Sequence, residues 1–383
     1  MQTATFDLPE IMGALKFARR AIERRNTIPI LGLARLTFNE GELWVSATNL
    51  DLDLKARAYF SGDMTEKSFM VDLRTVISVL GSEPKESVLT LEETGDEARG
   101  LRITCGDIKL AIATSVGAED YPRMEFKAPT TKGATSSCKI GEDVLEEALR
   151  WASAFVSTEE TCYYLNGICL DSREGGKLRF VATDGHRLID YKTSAKAPKC
   201  KQHPNYILPR VAIGTIRTLL KKGGNREIAL QFAGLKMQID LGDRVVMSKL
   251  IDGTFPDWTR AIPKETSEMN VTIPAVVAAR AAAMSTERSR ALDISPTEGL
   301  VRFAMLDGDA LENKIPMGKG PKRKDNAVDG VPLPPAKVGL NVMYLATLSK
   351  MFGDLTLQGN TAGDPALIEP KKDVRVVLMP MRV

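Results

Sequence analysis

The strongest constraint on the fold of this 383-residue chain is threefold internal repetition. GELWVSATN (41–49), GKLRFVATD (176–184) and GLVRFAMLD (299–307) each run from a Gly through alternating apolar positions. Each reaches an Asn or Asp eight residues after that Gly. Alternation that ends in Asn-x or Asp-Gly is the pattern of a strand entering a hairpin turn. A proline then recurs at nearly constant distance: 74 residues from Thr48 to Pro122, 73 from Thr183 to Pro256 and 74 from Leu306 to Pro380. A repeat of this length dictates architecture before any single residue does.

Each copy also carries two helical segments. DLPEIMGALKFARRAIERR, GEDVLEEALRWASAFVS and TIPAVVAARAAAMSTERSR precede the hairpins. In the first of these, Ile11, Leu15, Ala18 and Ile22 form an apolar stripe at helical spacing, with Lys16, Arg19 and Arg20 off it. Second helices are expected around LRTVISVLGS, PRVAIGTIRTLLKK and VMYLATLSKMF. Short alternating strands such as LRITCGDIKLAIAT and IALQFAGLKMQIDL follow. The chain therefore reads as α+β, with three tandem copies of two helices and antiparallel strands over residues 1–128, 129–263 and 264–383. The third copy departs once, at the Gly/Pro-rich basic stretch GKGPKRKDNAVDGVPLPP (318–335), which reads as a surface loop.

Composition excludes several classes. No apolar run approaches the ~18 residues of a membrane span, and the N-terminus lacks the pattern of a signal peptide. The five cysteines (Cys105, Cys138, Cys162, Cys169 and Cys200) are scattered, odd in number and without CxxC spacing. Reduced thiols in a cytoplasmic protein are expected, not a disulfide scaffold or a zinc site. The two histidines are too few for a His-rich metal site. No GxxxxGK[ST] or GxGxxG loop is present, so neither nucleotide hydrolysis nor a dinucleotide cofactor is expected. The net charge of +3 is modest, with residues 1–128 acidic and the remainder basic. A protein gripping DNA through one continuous basic face would be more basic than this.

Comparing the copies separates scaffold from function. In VATDGHRLID (181–190), Asp184 and Gly185 are explained by turn geometry, since Asp-Gly recurs at 307–308 and Asn49 holds the place in the first copy. His186 and Arg187 are different. Their counterparts are Asp51 and Leu52, and Asp309 and Ala310, so the His-Arg pair belongs to the middle copy alone. Either a binding surface or a Ser–His–Asp hydrolase would use it, and no GxSxG elbow accompanies the second.

The segments RRNTIPILG (24–32), YYLNG (163–167), ATDGHRL (182–188), LIDGTFPDW (250–258), LNVMYL (340–345) and VVLMPMRV (376–383) resemble, in order and spacing, the bacterial sliding clamp, the beta subunit of DNA polymerase III. The resemblance implies the DNA-clamp fold three times over and a non-enzymatic processivity factor without cofactor or metal. Two chains would join head to tail into a ring around duplex DNA. The partners it implies are double-stranded DNA, the catalytic subunit of DNA polymerase III, other polymerases, a clamp loader and repair factors. A divergent clamp-fold binding protein with a specialised partner set is the alternative.

Carried over by position, Leu165, Thr183, Gly185, His186, Arg187 and Leu188 would form one wall of a groove for partner peptides. Pro256, Arg260, Val377, Met379, Pro380, Met381 and Arg382 would form the other. The chemistry fits, because Met adapts to varied apolar partners while Arg and backbone groups fix polar ends. Arg25, Arg74, Tyr163 and Tyr164 would touch DNA. Helix phase adds Arg210 and Arg217, with Lys221 on the same face. Ala283 and Met284 would sit at the dimer edge, opposite a strand near 106–114.

Overall fold

A computed structural model describes all residues except 1, 95–99, 114–116, 127–134, 174–175, 199–204, 265–268, 286–290, 296–299, 305–309, 315–337, 360–362 and 382–383. The turn of the third hairpin, the basic stretch at 318–335, Cys200 and Arg382 therefore lie outside the described residues, in whole or in part. The chain divides into two compact units, one of residues 1–145 and 198–251 and the other of 146–197 and 252–383. The architecture is α+β, and the strand pairing is antiparallel throughout.

In the first unit, eight strands form one sheet. Its order is Thr135–Gly141, Glu227–Ala233, Lys236–Asp240, Arg244–Lys249, Leu52–Tyr59, Glu42–Thr48, Ala34–Asn39 and Lys67–Val71. Alternation decides which side faces the core: Leu43, Val45 and Ala47 are fully buried, while Trp44 and Ser46 point the other way. The helices Leu8–Ala18, Leu73–Leu80 and Arg210–Arg217 belong to this unit. A second sheet runs Ser61–Gly62, Thr3–Asp7, Val88–Thr94, Gly100–Cys105 and Ile108–Ala113, which makes Ile108–Ala113 an edge strand.

The second unit repeats the arrangement. Gly167–Asp171, Lys177–Thr183, Arg187–Lys196, Val374–Leu378, Ala366–Lys371, Leu355–Gly359 and Met269–Ile273 are successive neighbours in one sheet. Ala310–Lys314, Leu300–Ala304, Ala291–Ser295 and Val338–Asn341 form another. The helices Ala275–Met284 and Val342–Phe352 lie in this unit, and Glu142–Ala152 runs across the division of the chain. Trp151 at the end of that last helix is 2 % exposed, with its ring 5.1 Å from Phe352 and 5.4 Å from Tyr191. Burying a side chain of this size stabilises by about 2–3 kcal/mol, so Trp151 anchors this core.

In both units a hairpin strand of one repeat pairs with a late strand of the next. Leu52–Tyr59 pairs with Arg244–Lys249, and Arg187–Lys196 with Val374–Leu378. Each sheet is thereby continuous across two repeats, and strands that would otherwise present unpaired backbone are covered. Tyr121, next to the first of the recurring prolines, accepts from the Thr48 N–H at 2.9 Å and donates to the Leu33 carbonyl at 3.2 Å. Burial pushes its phenol well above the usual range. One expectation fails: the helix of Arg210 ends at Arg217, so Lys221 lies beyond it and the three cations do not share a helical face.

Candidate partner-binding groove

The site is built on the start of strand Arg187–Lys196 and the end of strand Val374–Leu378, where Leu188 pairs with Val377 and Arg187 with Leu378. The turn leading into the first strand is held by side chains. Asp184 Oδ1 accepts from the N–H groups of His186 and Arg187, both at 3.0 Å. Thr183 Oγ1 donates to the Arg187 carbonyl at 2.8 Å and accepts from Gly185 N at 3.1 Å. Gly185 sits at φ 87°, where a Cβ would be strained. The turn reading of Asp184 and Gly185 holds.

His186 is exposed, and its hydrogen bonds to described residues are all made by its backbone. Arg187 is pinned on three sides. Its Nε donates to Asp184 Oδ2 at 2.8 Å, and its guanidinium lies 4.4 Å from the ring centroid of Tyr344 and 5.2 Å from that of Phe155. A cation held between two aromatic rings and a carboxylate is conformationally fixed. Leu165 and Leu188 are buried, at 7 % and 4 % exposure.

The C-terminal segment runs beside this turn. Met379 N–H donates to the His186 carbonyl at 2.8 Å, and Met381 N–H donates to the Gly339 carbonyl at the same distance. The backbone is thus tied down on alternate residues while both methionines stay exposed, at 41 % and 38 %. Chain ends usually fray. Here Met379 and Met381 are fixed by these bonds, with two adaptable apolar side chains uncovered. Val377 is fully buried and Pro380 is half-buried.

Pro256 and Arg260 are both exposed, on a segment anchored by Trp258, whose indole N–H donates to Asp171 Oδ2 at 2.6 Å. Burial opposes the charge on Asp171, but hydrogen bonds from Arg173 and Trp258 outweigh it and hold the carboxyl below its ordinary range. Arg260 pairs with Asp257 at 3.1 Å. Among the described residues, no hydrogen bond links Pro256 or Arg260 to the His186 turn.

Sequence reasoning missed Tyr344 and Phe155. A signal for Tyr344 was present: it belongs to the second helix of the third repeat, where the helices Leu73–Leu80 and Arg210–Arg217 carry Thr75 and Ala212 at the matching place.

The expected DNA contacts are distributed over both units. Arg25 is exposed, and the Arg74 guanidinium donates to the carbonyls of Glu23 and Arg24, so it holds the neighbouring loop. Arg210 is exposed and Arg217 half-buried on one helix. Tyr163, 53 % exposed, meets Tyr164 edge-on at 5.7 Å. Ala283 is exposed and Met284 half-buried at the end of their helix. Cys105, Cys138, Cys162 and Cys169 are free thiols. Among the described residues, no helix is long and apolar enough to cross a membrane, and no cluster of three or more His, Cys, Asp or Glu is placed to hold a metal.

Comparison with known proteins agrees across the chain. Residues 5–125 match the family described as DNA polymerase III beta subunit, N-terminal domain, and residues 139–257 match its central domain. The beta sliding clamp of Caulobacter vibrioides is 29 % identical over 390 residues, covering 99 % of each chain. That of Rickettsia bellii is 29 % identical and covers 97 % of each. The crystal structure of a sliding clamp from Bartonella birtlesii, bound to griselimycin, superposes with a TM-score of 0.84 at 26 % identity, and covers 100 % of both chains. The Caulobacter crescentus clamp gives 0.82 at 27 %, with the same coverage. The chain belongs to the family of bacterial beta sliding clamps, the beta subunits of DNA polymerase III.

Proposed function

We propose that this protein is a non-enzymatic sliding clamp, a processivity factor that works in the cytoplasm. Two copies, each of three clamp domains over 1–128, 129–263 and 264–383, would close head to tail around duplex DNA. The observation that carries the partner site is the C-terminal tail: Met379 and Met381 are tied by their backbones to His186 and Gly339 while both stay exposed. An anchored apolar surface that can repack suits short peptides from many partners, namely the catalytic subunit of DNA polymerase III, other polymerases, the clamp loader and repair factors.

Binding to DNA by enclosure needs no strong grip. Phosphate contacts from Arg25, Arg74, Arg210 and Arg217, with Tyr163 and Tyr164 beside the strand, would be few and sequence-blind, which permits sliding. The modest net charge of +3 accords with that. The test is loading onto closed circular DNA by a clamp loader. The loaded clamp should resist high salt and escape when the circle is cut. Retention on the linear product would refute enclosure. Arg210→Ala should lower the salt slope of DNA binding by about one unit without changing sequence preference.

A further inference from the structure

Three segments that carry expected groove residues meet at one buried cluster of charges. Asp190, 1 % exposed, takes Arg179 Nη1 at 2.8 and 2.6 Å and Arg375 Nε and Nη2 at 2.9 and 2.6 Å. Trp258 lies beside both arginines, their guanidinium carbons 5.5 and 5.8 Å from its ring centroid. Its indole N–H donates to Asp171, which is also 1 % exposed and takes Arg173 in turn. Asp190 follows Leu188 by two residues, Arg375 precedes Val377 by two, and Trp258 stands midway between Pro256 and Arg260. Leu188 pairs with Val377 and Asp190 with Arg375, so the ion pair and the apolar pair share one face of the sheet, one step apart.

The first unit shows that the fold does not need this cluster. Repeat for repeat, Thr37, Trp44, Lys55, Val245 and Met124 stand where Asp171, Arg179, Asp190, Arg375 and Trp258 stand, and the strand registers agree. Thr37, Trp44, Lys55 and Val245 line a cavity of about 360 Å³. The place stays open in one unit and is filled by an indole and ion pairs in the other.

Stability is a poor reason to fill it with charge. Withdrawing charged groups from water is costly, and apolar residues of similar size often serve stability as well or better. What charge adds is direction. A buried carboxylate that takes two arginines fixes both in angle and in register.

We propose that Arg179, Asp190, Arg375 and Trp258 are the positioning device of the partner groove. They lock the Pro256–Arg260 segment onto strands Arg187–Lys196 and Val374–Leu378, so the three segments keep one spacing before a peptide arrives. This role rests on the groove reading and adds to it residues that a peptide does not touch. Trp258 is 2 % exposed and Asp190 1 %.

The test compares the full-length parent with the triple variant Arg179→Met, Asp190→Leu and Arg375→Met, which removes the three charges together. Its melting temperature should stay level or rise. Its affinity for a fluorescent Gln- and Leu-containing clamp peptide should fall by about fivefold or more. In protein labelled at Ala and Met methyls, without peptide, the Ala261 methyl should move or broaden while those of Met379 and Met381 keep their places. Should the triple variant not fold, Arg375→Met and Arg375→Lys repeat the test. The first should weaken the peptide by about threefold or more, and the second return it to within about twofold of the parent. The role is overturned if a folded triple variant or Arg375→Met binds as tightly as the parent, or if the loss merely follows a fall in melting temperature. The groove itself is read separately, from the Met379 and Met381 methyls of the parent under saturating peptide. Should they not move, the groove reading fails and the positioning role falls with it. Should they move while the triple variant binds at parental affinity, the groove stands and the positioning role alone is lost.

Discussion

The guanidinium of Arg187 lies 4.4 Å from the ring centroid of Tyr344, so a residue unique to the second repeat is held by one unique to the third. The stack is partly buried and is reinforced by the Asp184 carboxylate. Tyr344→Ala should release the guanidinium and weaken a fluorescent clamp peptide by about 0.5–2 kcal/mol, while Tyr344→Phe retains most of the affinity. Fluorescence anisotropy measures this directly. Equal affinity in the parent and the alanine variant would show that the stack is not what shapes the groove.

Glu142, at the start of its helix, is 1 % exposed and takes Arg226 in bidentate fashion, at 2.8 and 2.5 Å, with Lys221 N–H at 2.9 Å. The Arg226 hydrogen bonds are the main cause that draws its carboxyl down to about 2. A depressed acid contributes stability above its unfolded value, and that contribution is lost as pH falls through the folded one. Glu142→Gln should therefore cost about 1–3 kcal/mol near neutrality, and the gap to the parent should close between about pH 4.5 and pH 2. Chemical denaturation at several pH values tests it. Gly224→Ala should mimic the loss, because a Cβ there would stand 2.4 Å from the Glu142 carboxyl.

What was legible in the sequence was local. Hairpin strands, both helices of each copy and the Asp184–Gly185 turn follow from spacing and turn chemistry within a few residues. The union of Leu52–Tyr59 with Arg244–Lys249 was not legible, since pairing across nearly two hundred residues leaves no local periodicity. Lys221 failed for a different reason. After Arg217 the chain tightens into i to i+3 bonds, from Thr218 to Thr215, Leu219 to Ile216 and Leu220 to Arg217, and the helical phase is lost. Nothing in the sequence marked Leu50, whose left-handed backbone is set by the bonds of Thr48 and Asn49.

Among the described residues Ile108–Ala113 ends its sheet, and an uncovered edge strand invites pairing. Met284, half-buried at a helix end, is the expected opposing surface. Stable dimer interfaces are large and apolar, so Met284→Asp should convert the proposed dimer to monomers at low micromolar concentration in sedimentation velocity. A dimer that persists would place the interface elsewhere.

Deleting Met379–Val383 separates the groove from the fold. Strand Val374–Leu378 keeps its partners Arg187–Tyr191 on one side and the Ala366–Lys371 strand on the other. Among the described residues, the backbone bonds lost are those from Met379 to His186 and from Met381 to Gly339. At about 1 kcal/mol each, they are a small part of the stability of a chain this size, so the circular dichroism and dimer mass should stay those of the parent. The two exposed methionines would be gone, and with them the apolar side chains that the C-terminal segment brings to the proposed groove. Since a few side chains carry most of the energy of such an interface, clamp-peptide binding and polymerase stimulation should both vanish. A truncated protein that still binds the peptide at parental affinity would place the partner site away from His186.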